Sequence, residues 1–199
     1  MENCQGVRIK MSETKIASEL IKKFLKNEIG NSKRILDIGC GDGVMALYLT
    51  SSLNCLIDGI DLDKRRVHRA NEKFKERTTK GIALCHFCDS KNINKKFNKN
   101  TFDFVLIMHT IHHLTDLADV LLKTQYALKY RGRIFVGEYQ RDYGEKRDNC
   151  PRFSNKKIKS MLKTAGFGNI TDHDIKKFVM ITAEKGGIKK SKNRCITTP

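Results

Sequence analysis

The 199-residue chain contains no tryptophan, only two prolines and no long apolar run. A helix that crosses a bilayer needs about 20 consecutive apolar residues. The opening residues, MENCQGVRIK, also lack the apolar core of a secretory signal peptide. These absences argue against a membrane protein and predict a soluble, cytoplasmic one. The length suits one domain with one core.

The cysteine content does not indicate a disulfide framework. The seven cysteines are an odd number and are scattered along the chain. Several lie in apolar stretches, where a reduced thiol packs like a small hydrophobic side chain. We therefore expect free thiols.

The charge of the chain is strongly unbalanced, with 39 basic and 22 acidic residues and a formal net charge of +17. The excess lies in 91–99, 129–133, 141–163 and 185–194, whereas 35–63 and 101–122 contain no lysine or arginine. A lysine-rich solvated surface accounts for such a charge, and so does a surface that binds the phosphates of a nucleic acid. Composition alone leaves both interpretations open. Residues 35–63 carry five aspartates and form the acidic part of the chain.

Apolar periodicity predicts alternating strands and helices. Strands are predicted at 34–38, 55–60, 82–88, 102–108, 133–139, 167–175 and 177–184, and helices at 12–29, 44–53, 63–77, 116–129 and 154–165. Ser12 is the predicted N-cap of the first helix. This alternation is typical of an α/β protein with a parallel sheet covered by helices on both faces. The last two strands are close enough in sequence to pair antiparallel.

The candidate functional residues all follow predicted strands. In such sheets ligands bind beyond the carboxyl ends of the strands, where the strand order reverses. The residues in question are Gly39 to Gly43, Asp61, Asp89, His109 to His113, and Glu138. The sequence therefore predicts one crevice that collects them.

The segment RILDIGCGDG places a glycine-rich loop directly after the first strand. Glycine lets backbone N–H groups approach a ligand closely. The dinucleotide fingerprint requires a sixth-position glycine, and counting from Gly39 that position is Val44, so a pyrophosphate site is not matched. Asp37 precedes the loop and suits a cationic ligand. Asp61 follows the second strand, where a carboxylate can accept hydrogen bonds from both ribose hydroxyls.

These stretches, LDIGCGDG with GIDLD, CD and FDFVLIMHTIHHL, resemble class I S-adenosylmethionine-dependent methyltransferases of the small-molecule type with a His-His-Leu loop after the fourth strand. The resemblance runs from about Arg34 to Glu138, and MLKTAGF resembles the helix that leads into the family's last strand pair. It implies a Rossmann-like, doubly wound, seven-stranded sheet of order 3-2-1-4-5-7-6 with strand 7 antiparallel, plus an N-terminal helix.

The resemblance also implies the cofactor, S-adenosylmethionine, and its site. The glycines would line the methionine part with Asp37 near its amino group, Asp61 would hold the ribose, Leu62 would pack on adenine, and Asp89 would meet the adenine amino group, a role that Ser90 could share. The full set of predicted cofactor residues is Asp37, Gly39, Cys40, Gly41, Gly43, Asp61, Leu62, Asp89, Ser90 and Met108. A sulfonium carries positive charge and no phosphate, so an acidic loop attracts it.

Methyl transfer from sulfur depends mostly on holding the nucleophile and the methyl group in line. A general base helps when the acceptor is a hydroxyl, and the candidates are His109, His112 and Glu138. An alternative is that these histidines only cap or pack under the helix that follows. The predicted acceptor-binding residues are His113, Tyr139, Tyr143 and Arg141, with Arg147 and Arg152 as further cations for an acidic substituent.

The expected organisation is one domain over 1–185, with a helical lid in 1–30, a substrate loop in 139–153 and a basic flexible tail in 186–199. A metal site is not expected, although Cys85 and Cys88, and His109 and His113, have suggestive spacings. In the implied strand order these two pairs lie about 14 Å apart, and residues three apart on a strand face opposite sides.

The predicted function is methylation of a small-molecule acceptor, such as a biosynthetic intermediate. RNA is the alternative acceptor, because the chain is so basic. A second alternative is a non-catalytic partner protein that binds S-adenosylmethionine. The sequence does not identify the acceptor atom or the oligomeric state.

Overall fold

The computed structural model describes residues 3–77, 79–140 and 152–186, with the side chains of the first helix described from Lys15 onward. Seven strands form one sheet: β1 (Lys33–Ile38), β2 (Cys55–Asp61), β3 (Ile82–Phe87), β4 (Phe102–Met108), β5 (Leu128–Tyr139), β6 (Phe167–Ile175) and β7 (Phe178–Lys185). The helices are α1 (Asn3–Ile29), α2 (Val44–Ser52), α3 (Lys64–Lys75), α4 (Ile93–Lys96), α5 (Leu117–Ala127) and α6 (Asn155–Thr164).

The strand order is β3-β2-β1-β4-β5-β7-β6. Strand β7 pairs antiparallel with both β5 and β6. The other four pairs, β3 with β2, β2 with β1, β1 with β4 and β4 with β5, are parallel. The predicted fold, including its strand order and its antiparallel last strand, is confirmed. The carboxyl ends of the five parallel strands therefore meet at one edge of the sheet, as the sequence predicted.

Several predicted boundaries are wrong. Helix α1 begins at Asn3, so Ser12 lies inside the helix and does not cap it. A short 3-10 turn (Ser90–Asn92) and α4 occupy a segment predicted to have no regular structure. Helix α5 ends at Ala127, and β5 begins at Leu128 rather than at 133 because a bulge with Arg131 in the left-handed region (φ 58°) lets the strand absorb KYRGR.

The core lies on both faces of the sheet. On the face of the sheet covered by α4, α5 and α6, the core contains Phe102, Ile107 and Leu162. The α1 and α2 side contains Phe135 and Phe178. Both clusters are apolar and buried, so hydrophobic burial holds the helices against the sheet and fixes the strand ends where the site lies.

The described part of α1 contributes one apolar face to this core. Ala17, Ile21, Leu25 and Ile29 recur every four residues and are buried, as an amphipathic helix requires. The role of the segment as a lid stays a prediction. None of the helices in the described residues has the length and apolar character needed to cross a membrane.

The outer strand β3 is covered along its edge by a side chain. Asn71 of α3 donates its amide N–H to the carbonyl of Cys85 and accepts a hydrogen bond from the N–H of Cys85, both at 2.8 Å. The amide thus satisfies two backbone groups that lie on an edge strand. It also fixes α3 against β3.

Candidate active site

A cavity of about 330 Å³ lies at the carboxyl ends of β1, β2 and β4. It is lined by Ile38, Gly39, Ile60, Asp61, Leu62, Arg66, Cys88, Ser90, His109, Thr110, His113 and Leu114. Six of these were predicted as site residues: Gly39, Asp61, Leu62, Ser90, His109 and His113. The other predicted residues within the described ranges are not part of this lining. The predicted crevice thus has a physical counterpart.

The glycine loop takes backbone conformations that favour glycine. Gly39, Gly41 and Gly43 have φ values of 76°, 52° and 70°. The N–H groups of Gly39 and Cys40 donate to the carbonyl of Ile60 at 2.8 and 3.1 Å, which ties the loop to β2. A Cβ on Gly39 would lie 2.2 Å from Cγ2 of Thr110. The glycine loop therefore packs so closely against Thr110, which follows β4, that only glycine fits at position 39.

Replacing Gly39 by alanine is expected to weaken cofactor binding at least about tenfold, because Thr110 or the loop must move to admit the Cβ. Gly30→Ala is the matched control, because Gly30 has a similar φ of 68° but no atom within 4 Å of the position that a Cβ would take. It should cost about 1 kcal/mol of stability through backbone strain and leave affinity unchanged. Calorimetry and thermal unfolding measure the two effects. Equal affinities in both variants would contradict the close-packing argument.

Asp61 joins the glycine loop to the start of α3. Its Oδ2 accepts the N–H of Gly41 at 2.9 Å, and its Oδ1 accepts the N–H of Asp63 at 2.8 Å. A carboxylate offers about four lone-pair positions, so two remain for a ligand in the cavity. The exposed Leu62 stands beside it at the rim. This is an anchored carboxylate next to an apolar surface.

Arg66 is a cavity residue that the sequence analysis missed. It comes from α3, and its guanidinium carbon lies 3.3 Å from a Cβ position on Gly41. Asp42 of the loop receives Arg69 Nε at 2.8 Å and Arg66 Nε at 3.4 Å. These arginines, chiefly Arg69, lower the pKa of Asp42. Asp42 therefore connects the glycine loop to α3. Residues 35–63 contain no basic side chain, but Arg66 of α3 brings one to the cavity.

Asp37 is the buried acid below the loop. It is 3% exposed, and its pKa is raised from 3.8 to about 7, first by burial and then by the neighbouring Asp61. Such a carboxyl is uncharged over part of the neutral range unless a cation approaches it. Asp37 does not line the cavity, so its approach to a positively charged ligand stays a prediction.

The Asp89 region caps a turn at the end of β3. The Asp89 side chain accepts the N–H of Lys91 at 2.9 Å and so begins the 3-10 turn. Ser90 and Cys88 line the cavity, while Asp89 is absent from its lining. Of the two candidates for the adenine contact, Ser90 is thus the one at the cavity wall.

Cys40 and Cys85 form a buried thiol pair behind the glycine loop. A Cβ on Gly59 would meet Cys85 Sγ at 2.6 Å and Cys40 Sγ at 2.8 Å. The hydrogen bond with Cys85, followed by burial, raises the pKa of Cys40 far above its usual range. Cys40 is therefore a packing group, since the reactive form of cysteine is the thiolate.

His109 forms part of the cavity wall where β4 ends. Its backbone is left-handed (φ 53°) and its N–H donates to the carbonyl of Gly137 at 2.9 Å. The ring lies 4.4 Å from that of Tyr139 and 4.9 Å from that of Phe178. Burial lowers the pKa of His109 to about 4, with Glu138 opposing the shift and Arg152 and His112 adding to it. The imidazole is therefore neutral near pH 7.

His112 and Glu138 form a buried pair behind His109. His112 Nδ1 lies 2.5 Å from Glu138 Oε2, and both side chains are about 95% shielded from solvent, with 5% and 4% exposed. Glu138 Oε1 accepts the N–H of Tyr139 at 2.9 Å and lies 3.6 Å from Arg152 Nη1. Arg152 was predicted to grip the acceptor, and in the structure it approaches Glu138.

The remaining predicted residues are placed as follows. The exposed His113 lines the cavity, with its ring 4.1 Å from that of His112. Met108 ends β4, and its Sδ would be 2.8 Å from a Cβ on Gly137. Arg141 and Tyr143, with most of the predicted substrate loop, fall outside the described residues. Within the described ranges no group of three or more His, Cys, Asp or Glu side chains is arranged to hold a metal.

Comparison with known proteins matches residues 36–136 to the family profile described as methyltransferase domain. The 27-O-demethylrifamycin SV methyltransferase of Amycolatopsis mediterranei (strain S699) is 26% identical over 106 residues, which cover 53% of this chain and 38% of that protein. Phosphoethanolamine N-methyltransferase 2 of Caenorhabditis elegans is 25% identical over 179 residues, covering 85% of this chain and 40% of that protein. The chain thus spans two fifths or less of these relatives.

Solved structures share the fold. The [4+2]-cyclase SpnF has a TM-score of 0.72 and 18% identity, covering 83% of this chain and 80% of that chain. A SAM-dependent methyltransferase from Methanosarcina mazei has a TM-score of 0.69 and 18% identity, covering 82% of this chain and 97% of that chain. At such identities the likeness shows the architecture alone.

Proposed function

Because the chain belongs to the methyltransferase domain family, we propose that it transfers a methyl group from S-adenosylmethionine to a small-molecule acceptor. The products are the methylated acceptor and S-adenosylhomocysteine. The observation that carries the proposal is the cavity at the carboxyl ends of β1, β2 and β4, with the Asp61 carboxylate held at its wall by two backbone N–H groups.

The residues present fit the cofactor. A cavity of about 330 Å³ falls within the range of small-molecule sites. Asp61 retains lone pairs for two ribose hydroxyls, and the exposed Leu62 offers an apolar surface to a base. The close approach of Gly39 to Thr110 leaves backbone groups at the wall where a side chain would otherwise stand. When bound, S-adenosylmethionine supplies an electrophilic methyl group on a positively charged sulfur.

The residues of this chain would perform binding, orientation and proton handling. Gly39 and Thr110 shape the cavity beside His109, whose neutral ring packs against the rings of Tyr139 and Phe178. We propose His112 as the proton acceptor; it does not line the cavity itself, but its ring lies 4.1 Å from that of His113, which does. With Nδ1–H donated to Glu138, the imidazole presents Nε2 as the basic atom, and Glu138 stabilises the imidazolium that forms.

Asp37 gives the proposal a pH signature. The Asp37 carboxyl keeps its proton up to about pH 7 in the folded protein but loses it near pH 4 in the unfolded chain. The free energy of unfolding therefore falls as the pH rises from about 4 to about 7.

A cationic cofactor favours the charged form of the Asp37 carboxylate. We therefore expect affinity to rise from pH 6 to pH 8 and binding to release a proton, measured by calorimetry in buffers of different ionisation enthalpy. Asp37→Asn should abolish both effects; an unchanged pH dependence would contradict this role.

A small-molecule acceptor is supported by the names of the relatives, which give 27-O-demethylrifamycin SV and phosphoethanolamine as the molecules methylated. RNA remains the alternative suggested by the charge of +17. A second candidate is a cofactor-binding protein that does not transfer methyl groups. A solved structure with the same fold is described as a [4+2]-cyclase, and one fold supports several reactions.

The test uses the full chain with methyl-labelled S-adenosylmethionine and a fractionated host lysate. We expect label in the small-molecule fraction, and none when an Asp61→Ala variant is used. Label in RNA would overturn the acceptor assignment. Tight cofactor binding with no labelled product in any fraction would favour the non-catalytic alternative, and absence of binding would overturn the whole proposal.

A further inference from the structure

Arg66 is the one lysine or arginine among the described residues that line the cavity. It lies in the first turn of α3, where the Asp63 cap accepts its backbone N–H at 3.1 Å. Its guanidinium covers the middle of the glycine loop, with the central carbon and Nη2 at 3.3 and 3.4 Å from the position of a Cβ on Gly41. A guanidinium does not attract a sulfonium, so any attraction by Arg66 must be to another part of the ligand.

The contact of Arg66 with its acidic neighbour leaves most of its donors unused. Asp42 accepts Arg69 Nε at 2.8 Å but Arg66 Nε only at 3.4 Å, which is longer than an ordinary N–H···O hydrogen bond. One carboxylate therefore faces two guanidinium groups and does not neutralise both. The terminal nitrogens of Arg66 carry its remaining N–H groups, which have no hydrogen-bond partner within the part of the chain that the structure describes.

Arg66 and Asp61 lie at the same part of the cavity wall. Both flank Gly41, since Asp61 Oδ2 accepts its N–H at 2.9 Å and the guanidinium covers the position of its Cβ. Both line the cavity together with Leu62, the predicted adenine contact. Asp37, the residue predicted near the methionine amino group, is buried and is not part of the lining. The guanidinium thus stands with the residues predicted for the adenosine part of the cofactor.

A ribose hydroxyl needs two kinds of hydrogen-bond partner, because it has one O–H to donate and lone pairs that accept. The Asp61 carboxylate only accepts, so it satisfies the hydroxyl protons and leaves the hydroxyl oxygens without donors. We propose that Arg66 supplies these donors, so that its terminal N–H groups and the Asp61 carboxylate together bind the ribose diol. This inference rests on the proposed function. It adds to the cofactor site a residue that the family resemblance did not indicate.

The test measures the affinity of the full chain for S-adenosylhomocysteine and for its 2′-deoxy and 3′-deoxy analogues by calorimetry. The sulfur of these ligands is uncharged, so a guanidinium does not repel it. In Arg66→Met, which keeps a long side chain but removes the donors, we expect the affinity for S-adenosylhomocysteine to fall about tenfold. The affinity lost on removing one of the hydroxyls should then be at least about threefold smaller than in the wild type, because that hydroxyl and Arg66 interact as a pair.

Arg69→Met is the matched control. Arg69 lies on the same helix, binds the same Asp42 carboxylate and is about as exposed as Arg66, 53% against 49%, but it does not line the cavity. This variant should leave the effect of each hydroxyl as in the wild type. Thermal unfolding checks that both variants are folded. If Arg66→Met does not fold, the same reduction must appear in Arg66→Gln, whose side chain is shorter, and its absence overturns the proposal.

The methionine carboxylate is the other ligand group that attracts a guanidinium. The ligand 5′-methylthioadenosine separates the two groups, because it keeps the ribose and lacks the amino-acid part. Arg66→Met should weaken its binding about as much as that of S-adenosylhomocysteine.

Three results would overturn the proposal and leave the proposed function standing: an unaffected affinity of Arg66→Met for 5′-methylthioadenosine, hydroxyl effects that are unchanged in Arg66→Met, and hydroxyl effects that are equally reduced in Arg69→Met. Absence of binding of S-adenosylmethionine and of all these ligands to the wild type would overturn both.

Discussion

Replacing Asp61 by alanine is expected to weaken S-adenosylmethionine binding by at least about 100-fold. Hydrogen bonds to a charged group contribute about 1.5–3 kcal/mol each, and the proposed site loses two, to the ribose hydroxyls. The substitution also releases the N–H groups of Gly41 and Asp63, which now donate to the carboxylate. The glycine loop would then lose its link to α3 on this side. Calorimetry with the cofactor and with S-adenosylhomocysteine measures the effect.

The control for this variant is Asp63→Ala. Asp63 caps α3 by accepting the N–H groups of Arg65 and Arg66, and it does not line the cavity. Its loss should cost about 1 kcal/mol of stability with less than a threefold change in affinity. Asp61→Ala should remain folded, because the side chain is only partly buried. If its cofactor affinity stays within threefold of the wild type, the ribose assignment is wrong.

Glu138→Gln is expected to lower turnover by about 10²–10⁴-fold while cofactor affinity stays within threefold. The amide has nearly the shape of the carboxylate but cannot stabilise an imidazolium on His112. Glu138 is absent from the cavity lining, which is why binding should survive. Single-turnover kinetics with the acceptor found in the labelling experiment measure the effect.

Glu184→Gln provides a matched comparison. Glu184 pairs with Arg131 at 3.2 Å on the same sheet, at the end opposite the site. It should have no effect on turnover. If Glu138→Gln retains more than a third of wild-type turnover, His112 and Glu138 form a structural pair, and the base must be sought elsewhere.

The sequence predicted the fold well because both of its signals are local. Apolar alternation located the strands, and glycine spacing located the loop between β1 and α2. The strand order came from the family resemblance. The missed elements, α4 and the first residues of β5, are polar stretches whose structure depends on tertiary contacts; Ile93 is fully buried under the sheet.

The site was predictable only in part. The sequence showed that Asp61, Leu62 and His109 lie at or just after the ends of strands. It did not show which side chains surround them. Arg66 reaches the cavity only because α3 folds back over Gly41. Likewise, nothing in the local pattern shows that the side chains of His112 and Glu138, 26 residues apart, hydrogen bond to each other. Such pairings arise from the register of β4 and β5.

The Asn71 amide has a consequence for how molecules of this protein meet. Ile82 and Phe87 of β3 are 69% and 60% exposed, and an apolar outer strand is a common template for sheet extension between copies. The Asn71 carboxamide already hydrogen bonds to the N–H and carbonyl of Cys85. These two groups, in the middle of β3, are therefore not open to pairing with a strand of a second molecule. Removing the Asn71 amide should therefore favour self-association of the protein.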